Sequence, residues 1–224
     1  MSRIFKTFAS MMFLMAAFPG FSQTSAEAPR MADITISVYD YAHVSIDLLA
    51  AAEEDARRIF RQAGVETVWT TCVPRPQKIQ TSDCYAVDTT HLMMKILPRA
   101  VSAQARDRSD VLGTALVGAN GVGYYAYVFY DSVQRITEER KLGHAMLGDV
   151  LAHEIGHLLL GSNSHSVSGI MSAHWYGEEL RRVSEATMLF TPSQTRMLRD
   201  RLESHKVDIP VVTRAEARGT AASQ

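Results

Sequence analysis

The residues of this sequence with the clearest chemical potential are two histidines and a glutamate in the stretch His153-Glu154-Ile155-Gly156-His157. Residues four positions apart lie on the same face of an α-helix, so both imidazoles can point at one metal ion. Glu154 follows the first histidine and is offset around the helix, from where its carboxylate can reach a water molecule on that ion. The pattern predicts a zinc site in which Glu154 acts as general base and then as general acid in hydrolysis.

The helix that carries this motif is itself predicted to be buried. Residues 143 to 160 are apolar nearly all round a helical projection, and Gly161 is a natural C-terminal stop. Two imidazoles and a carboxylate in the middle of a buried helix need polar partners. A metal ion supplies them, which favours the zinc interpretation over a chance match to the HExxH pattern.

A catalytic zinc site of this type uses three protein ligands and keeps one position open. We predict His165 as the third ligand because it follows Gly161, where the chain can reverse and return beneath the ion. Asn163 is the main alternative since its amide oxygen can also bind a metal ion, and His174 lies further along the chain. A site with a glutamate from a later helix is a further alternative, for which the chain offers Glu178, Glu179 and Glu185.

Residues 147 to 175 resemble the metzincin zinc metallopeptidases, whose pattern is H-E-x-x-H-x-x-G-x-x-H followed by a methionine turn. The HExxH residues match this pattern, and Ser168-Gly169-Ile170-Met171 is similar to the methionine turn. His165-Ser166 resembles the His-Ser pair of matrixin-like members. The resemblance implies one catalytic Zn²⁺ and an apolar floor formed by Met171, which does not itself bind the ion.

The zinc motif departs from the metzincin pattern in one respect. The chain reads H-E-x-x-H-x-x-x-G-x-x-x-H, so the glycine comes one residue late and the third histidine two residues late. Leu160 and Asn163 stand at the positions where the family has glycine and histidine. A helix one residue longer and a turn one residue wider would still deliver His165 to the ion. The choice between His165 and Asn163 stays open at this point.

The hydrophobic pattern of the whole chain predicts a single α+β or α/β domain. A helix capped by Ser45 and ended by Gly64 follows the first strand, and a last helix begins at Thr191-Pro192. Residues 71–88 are a predicted loop. The predicted strands lie at residues 34–39, 65–70, 91–97, 111–117 and 123–130.

This order of elements resembles the metzincin domain, with a twisted four- to five-stranded mixed sheet, two long helices, an active-site helix and a C-terminal helix. The resemblance implies that the strand at about residues 111–117 is an edge against which a peptide substrate lies. Trp175 and Tyr176 follow the methionine turn, and we expect them to line the pocket for the substrate residue after the scissile bond.

The N-terminal segment is typical of a secretory signal peptide. Arg3 and Lys6 precede an apolar run from Phe8 to Phe18 that is too short to span a bilayer, although a membrane anchor is the alternative. We expect a signal peptide at residues 1–26, a peptidase-like domain at residues 27–208 and a loose tail at residues 209–224. The mature protein is then secreted or periplasmic.

Composition excludes several kinds of partner. The 224-residue chain has a net charge of −1 from 23 basic and 24 acidic residues, so we expect no nucleic acid partner. No later segment is apolar enough to span a membrane, and we expect a monomer. Cys72 and Cys84 predict one disulfide in an exported chain, with two free thiols as the alternative.

These observations together predict an exported zinc-dependent endopeptidase that acts on peptides or proteins. Two other functions use the same residues. One is a binding or structural module that keeps zinc for stability; Glu154 opposes it because a structural site needs no carboxylate there. The other is an amidase that acts on non-protein amides. An edge strand that can bind a peptide would favour the peptidase, and a closed pocket would favour the amidase.

Overall fold

The protein is described by a computed structural model over residues 33–72, 84, 90–99, 111–119, 121 and 123–207. These residues form the single α+β domain expected from the sequence. The predicted signal peptide and C-terminal tail lie outside the described residues. The strands are β1 (Ile34–Asp40), β2 (Thr67–Cys72), β3 (His91–Leu97), β4 (Gly113–Val117) and β5 (Gly123–Phe129). The helices are α1 (Ile46–Gln62), α2 (Tyr130–Arg140), α3 (Ala145–Leu160), α4 (Gly177–Ser184) and α5 (Pro192–Val207).

The five strands form one mixed sheet in the order β2-β1-β3-β5-β4. The pairs β1–β2, β1–β3 and β3–β5 are parallel, and β4 pairs antiparallel with β5. In the sheet as described, β4 therefore has a hydrogen-bonded neighbour on one side only. Its register with β5 shifts between Leu116 and Val117.

Helix α1 forms where the sequence predicted it. The Ser45 side chain accepts a hydrogen bond from the Leu48 N–H at 3.4 Å, and Gly64 after the helix has φ 76°. Its buried residues recur at helical spacing, which fixes the face that packs on the core. They are Leu49, Ala52, Ala56, Ile59 and Phe60.

Helix α3 is the centre of the domain, as its apolar sequence predicted. It crosses α1 closely at Gly148, where an added Cβ would lie 2.7 Å from the Ala52 carbonyl oxygen and 2.6 Å from the Asp55 Cβ. A larger residue would force the two helices apart at this crossing. Gly148 thus allows α3 to pack closely against α1. This packing fixes the position of α3 and of the HExxH residues on it.

Asp149, beside that crossing, is a buried carboxyl group on α3. It is 1% exposed, and its Oδ2 atom has no hydrogen-bond partner among the described residues. Burial raises its pKa well above the ordinary value of 3.8, and the guanidinium of Arg58 only partly opposes this. The protonated carboxyl is therefore the form that the fold favours.

We expect Asp149→Asn to stabilise the protein, and increasingly so as the pH rises. Because the pKa is raised in the folded state, the wild type has its full stability below pH 3.8 and loses stability as the pH approaches the raised folded value. The amide is neutral throughout, so the variant should melt about 2–4 °C higher at pH 7. Thermal unfolding from pH 4 to 8 measures this. The exposed Asp200→Asn should show no growing difference, and equal melting of Asp149→Asn and wild type at all pH values would contradict the expectation.

The predicted disulfide is present and joins Cys72, the last residue of β2, to Cys84. Cys72 and Cys84 are bonded with their Cα atoms 5.8 Å apart, and both are buried against Tyr39. The Tyr39 hydroxyl donates a hydrogen bond to the Cys84 carbonyl oxygen. The disulfide and this hydrogen bond thus hold Cys84 against β1 and β2.

The predicted position of β2 was wrong by two residues. Val65 belongs to the end of α1, because its N–H donates to the Phe60 carbonyl at 3.0 Å as in a Schellman motif. The strand therefore starts at Thr67 and continues through Thr71 and Cys72, which the sequence had assigned to a loop.

The sequence also missed helices α2 and α4. Tyr130 was assigned to the last strand but begins α2, whose apolar stripe of Tyr130, Val133 and Ile136 is short. Helix α4 is short and buries Leu180 and Val183. Both helices lie on the surface, where polar residues conceal the helical period. No helix within the described ranges is both long and apolar enough to cross a bilayer.

Candidate metal centre

Three histidines converge at the C-terminal half of α3. His153 and His157 are one helical turn apart on α3, and Gly161 ends the helix with φ 95° and ψ 173°. The chain then turns back so that His165 faces the same point. The Nε2 atom of His157 lies 3.1 Å from that of His153 and 3.1 Å from that of His165. The three histidines each offer a nitrogen within 4.8 Å of the others, a group that can hold a metal ion.

The distances between these nitrogens fit a tetrahedral metal ion. Zinc–nitrogen bonds of about 2.0–2.1 Å at tetrahedral angles place two ligand nitrogens about 3.3 Å apart. The observed 3.1 Å separations are close to that value. Three imidazoles with one open position are a donor set that suits catalytic Zn²⁺.

The hydrogen-bond partner of Nδ1 determines which ring nitrogen of a histidine carries the proton. The Nδ1 atom of His153 lies 2.7 Å from the Ile170 carbonyl oxygen, which can only accept a hydrogen bond. Nδ1 must then be the donor, and Nε2 of the neutral ring presents a lone pair to the cluster. Burial lowers the pKa of His153 to about 4, so the neutral ring is the stable form near pH 7. Converging lone pairs of neutral rings are a site for a cation.

Met171 packs against α3 at Gly156, the residue before His157. It is fully buried, and its carbonyl oxygen accepts a hydrogen bond from the Ser166 N–H at 2.9 Å. An added Cβ at Gly156 would collide with the Met171 sulfur. The absence of a side chain at Gly156, inside the HExxH motif, therefore lets the Met171 side chain contact the helix there.

Glu154 lies on the other side of the cluster and is buried against β4. Burial raises its pKa to about 8, and its Oε2 atom has no hydrogen-bond partner in the described part of the chain. A Cβ added at Gly113 would be 2.6 Å from Oε1 and 2.7 Å from Cγ of Glu154. With this raised pKa, the protonated carboxyl is the favoured form near pH 7 unless a cation is bound in the same cavity.

A cavity of about 590 Å³ opens over the three histidines and Glu154. Strand β4 contributes to its lining, as does the segment after Met171, which includes Trp175 and Tyr176. The indole of Trp175 packs edge-on to His153 with ring centroids 5.6 Å apart and donates to the Ser172 carbonyl at 3.1 Å. The cavity therefore brings the three histidines, the carboxyl group of Glu154 and an edge strand together.

The other candidate ligands lie elsewhere. Asn163 is exposed in the turn after α3, and His174 lines the outer cavity, where its ring stacks on Tyr176. The later glutamates belong to α4 and the residue after it. Glu178 and Glu185 form ion pairs with Arg181 there. The structure thus brings His165 to the HExxH histidines and, among the described histidines and carboxylates, leaves His174 and the later glutamates outside the group.

Sequence reasoning missed three residues that contact this site. Gly113 limits the space around Glu154, Ser164 lies 2.9 Å from His157 Nδ1, and Gln194 on α5 contacts the Ser164 carbonyl. The first two contacts depend on the sheet order and on the path of the turn. A partial signal existed for Gln194, because Thr191-Pro-Ser-Gln has the spacing of a capping box.

Comparison with solved structures finds chains of similar fold, including the following two. No protein-family model matches the chain, and no curated protein matches it. A zinc-dependent peptidase from Methanocorpusculum labreanum is 14% identical with a TM-score of 0.47, covering 73% of this chain and 99% of its own. Archaemetzincin from Methanopyrus kandleri is 14% identical with a TM-score of 0.47, covering 79% of this chain and 99% of its own. The geometry of the three histidines, rather than these likenesses, supports the function considered below.

Proposed function

We propose that the protein is a zinc-dependent endopeptidase of the metzincin type. The observation that carries the proposal is the convergence of the His153, His157 and His165 Nε2 atoms beside the buried carboxyl group of Glu154. The matrixin-like features in the sequence, the His-Ser pair and the methionine turn, support the same class. The proposal extends to one bound Zn²⁺ and to a peptide or protein substrate.

The roles of the residues follow from their positions. The three histidines would hold the ion through Nε2, which leaves the fourth position open toward the cavity. When bound, Zn²⁺ would supply a Lewis acid that polarises the scissile carbonyl and lowers the pKa of an attacking water. The positive charge of the bound ion would favour the ionised form of Glu154. That carboxylate would then accept the proton of the water and pass it to the leaving amine nitrogen.

The edge strand β4 supports a peptide as the substrate. The Leu112 carbonyl accepts a hydrogen bond from the Phe129 N–H at 2.8 Å, so this residue directs its backbone groups toward β5. Because alternate residues of an antiparallel strand point in opposite directions, Gly113 and Ala115 direct theirs away from β5. Both residues line the cavity. A substrate in extended conformation can therefore pair with them as an added strand.

The open cavity favours this function over the two alternatives. An amidase for small non-protein amides needs no exposed strand edge beside its zinc ligands, whereas β4 borders the cavity along its length. A purely structural zinc site closes its coordination sphere with protein ligands. The group of three histidines and an unpartnered carboxyl oxygen does not fit that pattern among the described residues.

Export of the protein is part of the proposal. The Cys72–Cys84 disulfide supports it, because such bonds persist mainly in oxidising compartments. We propose that the N-terminal signal peptide is removed and that the mature monomer is secreted or periplasmic. Cell fractionation with N-terminal sequencing of the mature chain tests this, and an intact N-terminus in the cytosolic fraction would refute it.

The proposed activity is tested with the purified mature protein and a generic peptide library. We expect one zinc per chain by elemental analysis and internal cleavage products by mass spectrometry, both abolished by a zinc chelator and restored by added Zn²⁺. A protein that retains no zinc after gentle purification would refute the metal centre. A zinc-loaded protein that leaves the peptide library intact would refute the peptidase.

Substitution of Gly113 should reduce this activity without removing the metal. The Cβ of Gly113→Ala would overlap the Glu154 side chain and the Tyr127 carbonyl oxygen, so the carboxyl group must move. Because a displacement of about 1 Å can cost about 10²-fold in rate, we expect kcat to fall by at least about 10-fold. Peptide cleavage and zinc content measure the two effects. The control Leu116→Ala changes an exposed side chain of the same strand, and equal kcat for Gly113→Ala and wild type would contradict this role.

A further inference from the structure

The wide turn between His157 and His165 is held by a hydrogen-bonded chain that ends on α5. We infer that Ser164 and Gln194 are positioning residues of the metal centre: Ser164 fixes the ring of His157, and Gln194 fixes the turn that carries His165. This inference rests on the proposed function, since it concerns the same three ligands. It assigns to the C-terminal helix a part in metal binding.

The side chain of Ser164 connects the helix end to a ligand ring. Its Oγ lies 2.7 Å from the Gly161 carbonyl oxygen and 2.9 Å from His157 Nδ1. The carbonyl can only accept, so it takes the single hydroxyl proton of the serine. His157 Nδ1 must therefore donate to the serine oxygen, and Nε2 keeps its lone pair for the metal.

No better partner competes for the outer nitrogen of His157 among the described residues. The Gly161 carbonyl is 3.4 Å from His157 Nδ1, a longer contact than the 2.9 Å to Ser164. Ser164 is also buried, whereas Ser162 and Asn163 before it are exposed. A buried hydroxyl between a carbonyl and a ligand ring holds that ring in one orientation.

The backbone of Ser164 is held from α5. The Gln194 Nε2 donates to the Ser164 carbonyl at 3.0 Å, and the Gln194 Oε1 accepts from the Thr191 N–H at 3.0 Å. Both partners have a fixed polarity, which sets the orientation of the amide. Gln194 is 6% exposed, so these bonds are shielded from water.

Gln194 also belongs to the capping box of α5. Its N–H lies 3.3 Å from Thr191 Oγ1, while its side chain returns to the Thr191 N–H. The helix itself is tied to the domain by Arg199, whose Nε donates to the Ala63 carbonyl at 2.8 Å. Ser164 is the residue before His165. Its hydrogen bond from Gln194 thus holds the lengthened turn against α5, which is itself packed on the core.

Hydrogen bonds of Ser164 and Gln194 therefore stabilise the lengthened turn of the zinc motif. A wider turn has more conformational freedom, and ordering it would cost binding energy each time the metal binds. The bonds of Ser164 and Gln194 order it in advance. Their loss should weaken metal binding even though neither side chain touches the ion.

The test is a comparison of metal affinity in the full mature protein. We expect Ser164→Ala to bind Zn²⁺ about 10–100-fold more weakly than wild type in competition with a chelator. Ser164→Thr keeps the hydroxyl and should recover most of the affinity. The absorption spectrum of bound Co²⁺, which reports coordination geometry, should change in Ser164→Ala and resemble wild type in Ser164→Thr.

Gln194→Glu separates the two roles of Gln194. An ionised glutamate can still cap α5 but cannot donate to the Ser164 carbonyl, so the variant is compared with wild type at a pH where its carboxyl group is ionised. We expect unchanged helix content by circular dichroism and about 10-fold weaker zinc binding. The control is Ser166→Ala, on the other side of His165, whose hydroxyl donates to the Ser168 carbonyl at 2.8 Å. Its affinity should remain within about 2-fold of wild type.

The outcomes distinguish this inference from the proposed function. If wild type binds zinc and both Ser164→Ala and Gln194→Glu match it in affinity and Co²⁺ spectrum, the positioning role is refuted while the metal centre stands. If wild type binds no zinc, the proposed function fails first. Should Ser164→Ala not fold, Gln194→Glu and Ser164→Thr decide the question by the same measurements.

Discussion

Replacing Glu154 with glutamine should abolish most peptide cleavage while the protein keeps its zinc and its fold. Glutamine has nearly the same shape but cannot accept a proton, so the loss in kcat should be at least about 10²–10⁴-fold. The residue does not belong to the ligand group of three histidines, so zinc content and affinity should be unchanged. A neutral amide also suits the buried site, where burial raises the pKa of the carboxyl group to about 8.

The measurements are initial rates on a cleaved peptide, zinc content and thermal unfolding, each beside wild type. Glu154→Asp serves as a control because it keeps the carboxylate but withdraws it from the cluster, and we expect an intermediate rate. A Glu154→Gln protein that cleaves peptides at the wild-type rate would eliminate Glu154 as the proton acceptor. A variant that has lost zinc would instead indicate that the carboxyl group binds the ion.

Removing the imidazole of His165 should release the metal and abolish activity together. The His165 Nε2 is 3.1 Å from that of His157, so its loss leaves two ligands from one helix. We expect zinc affinity to fall by more than about 10²-fold, beyond the effect of removing a residue that only orients a ligand. Because His165 is exposed, the metal-free variant should unfold within about 0.5 kcal/mol of metal-free wild type.

Asn163→Ala is the matched comparison for His165→Ala. Both residues lie in the same turn and both are exposed, so general disturbance of the turn should affect them alike. We expect Asn163→Ala to keep zinc affinity within a few-fold of wild type. The opposite result, zinc loss in Asn163→Ala and retention in His165→Ala, would assign the third ligand to the amide.

The elements that position the site were the most predictable from sequence. The helix of the HExxH motif is apolar on nearly every face, and burial of this kind gives a strong pattern over its whole length. β3 was predicted with its observed bounds, His91–Leu97. In contrast, α2 and α4 bury too few residues for their period to be read, and only packing against α3 defines them.

The contacts around the metal ligands were less predictable because they join distant parts of the chain. Gln194 and Ser164 are 30 residues apart in sequence, and the bond between them depends on where α5 docks. Gly113 lies beside Glu154 because β4 is at the sheet edge after a change of strand direction. Contacts of this kind follow from the tertiary topology, which a local pattern of residue types does not predict.

Helix α3 contributes to the core and to the site with the same sixteen residues, of which twelve are buried. A substitution in this helix therefore affects the stability of the fold as well as the chemistry of the site, and a variant that does not fold shows no activity at all. The strand β4 and the turn after Gly161 contribute side chains to the same cavity from partly exposed positions. Divergence of substrate preference within a lineage should accumulate in those two segments, while the sequence of α3 changes slowly. For directed evolution of a new specificity, the residues to randomise lie in the same two segments.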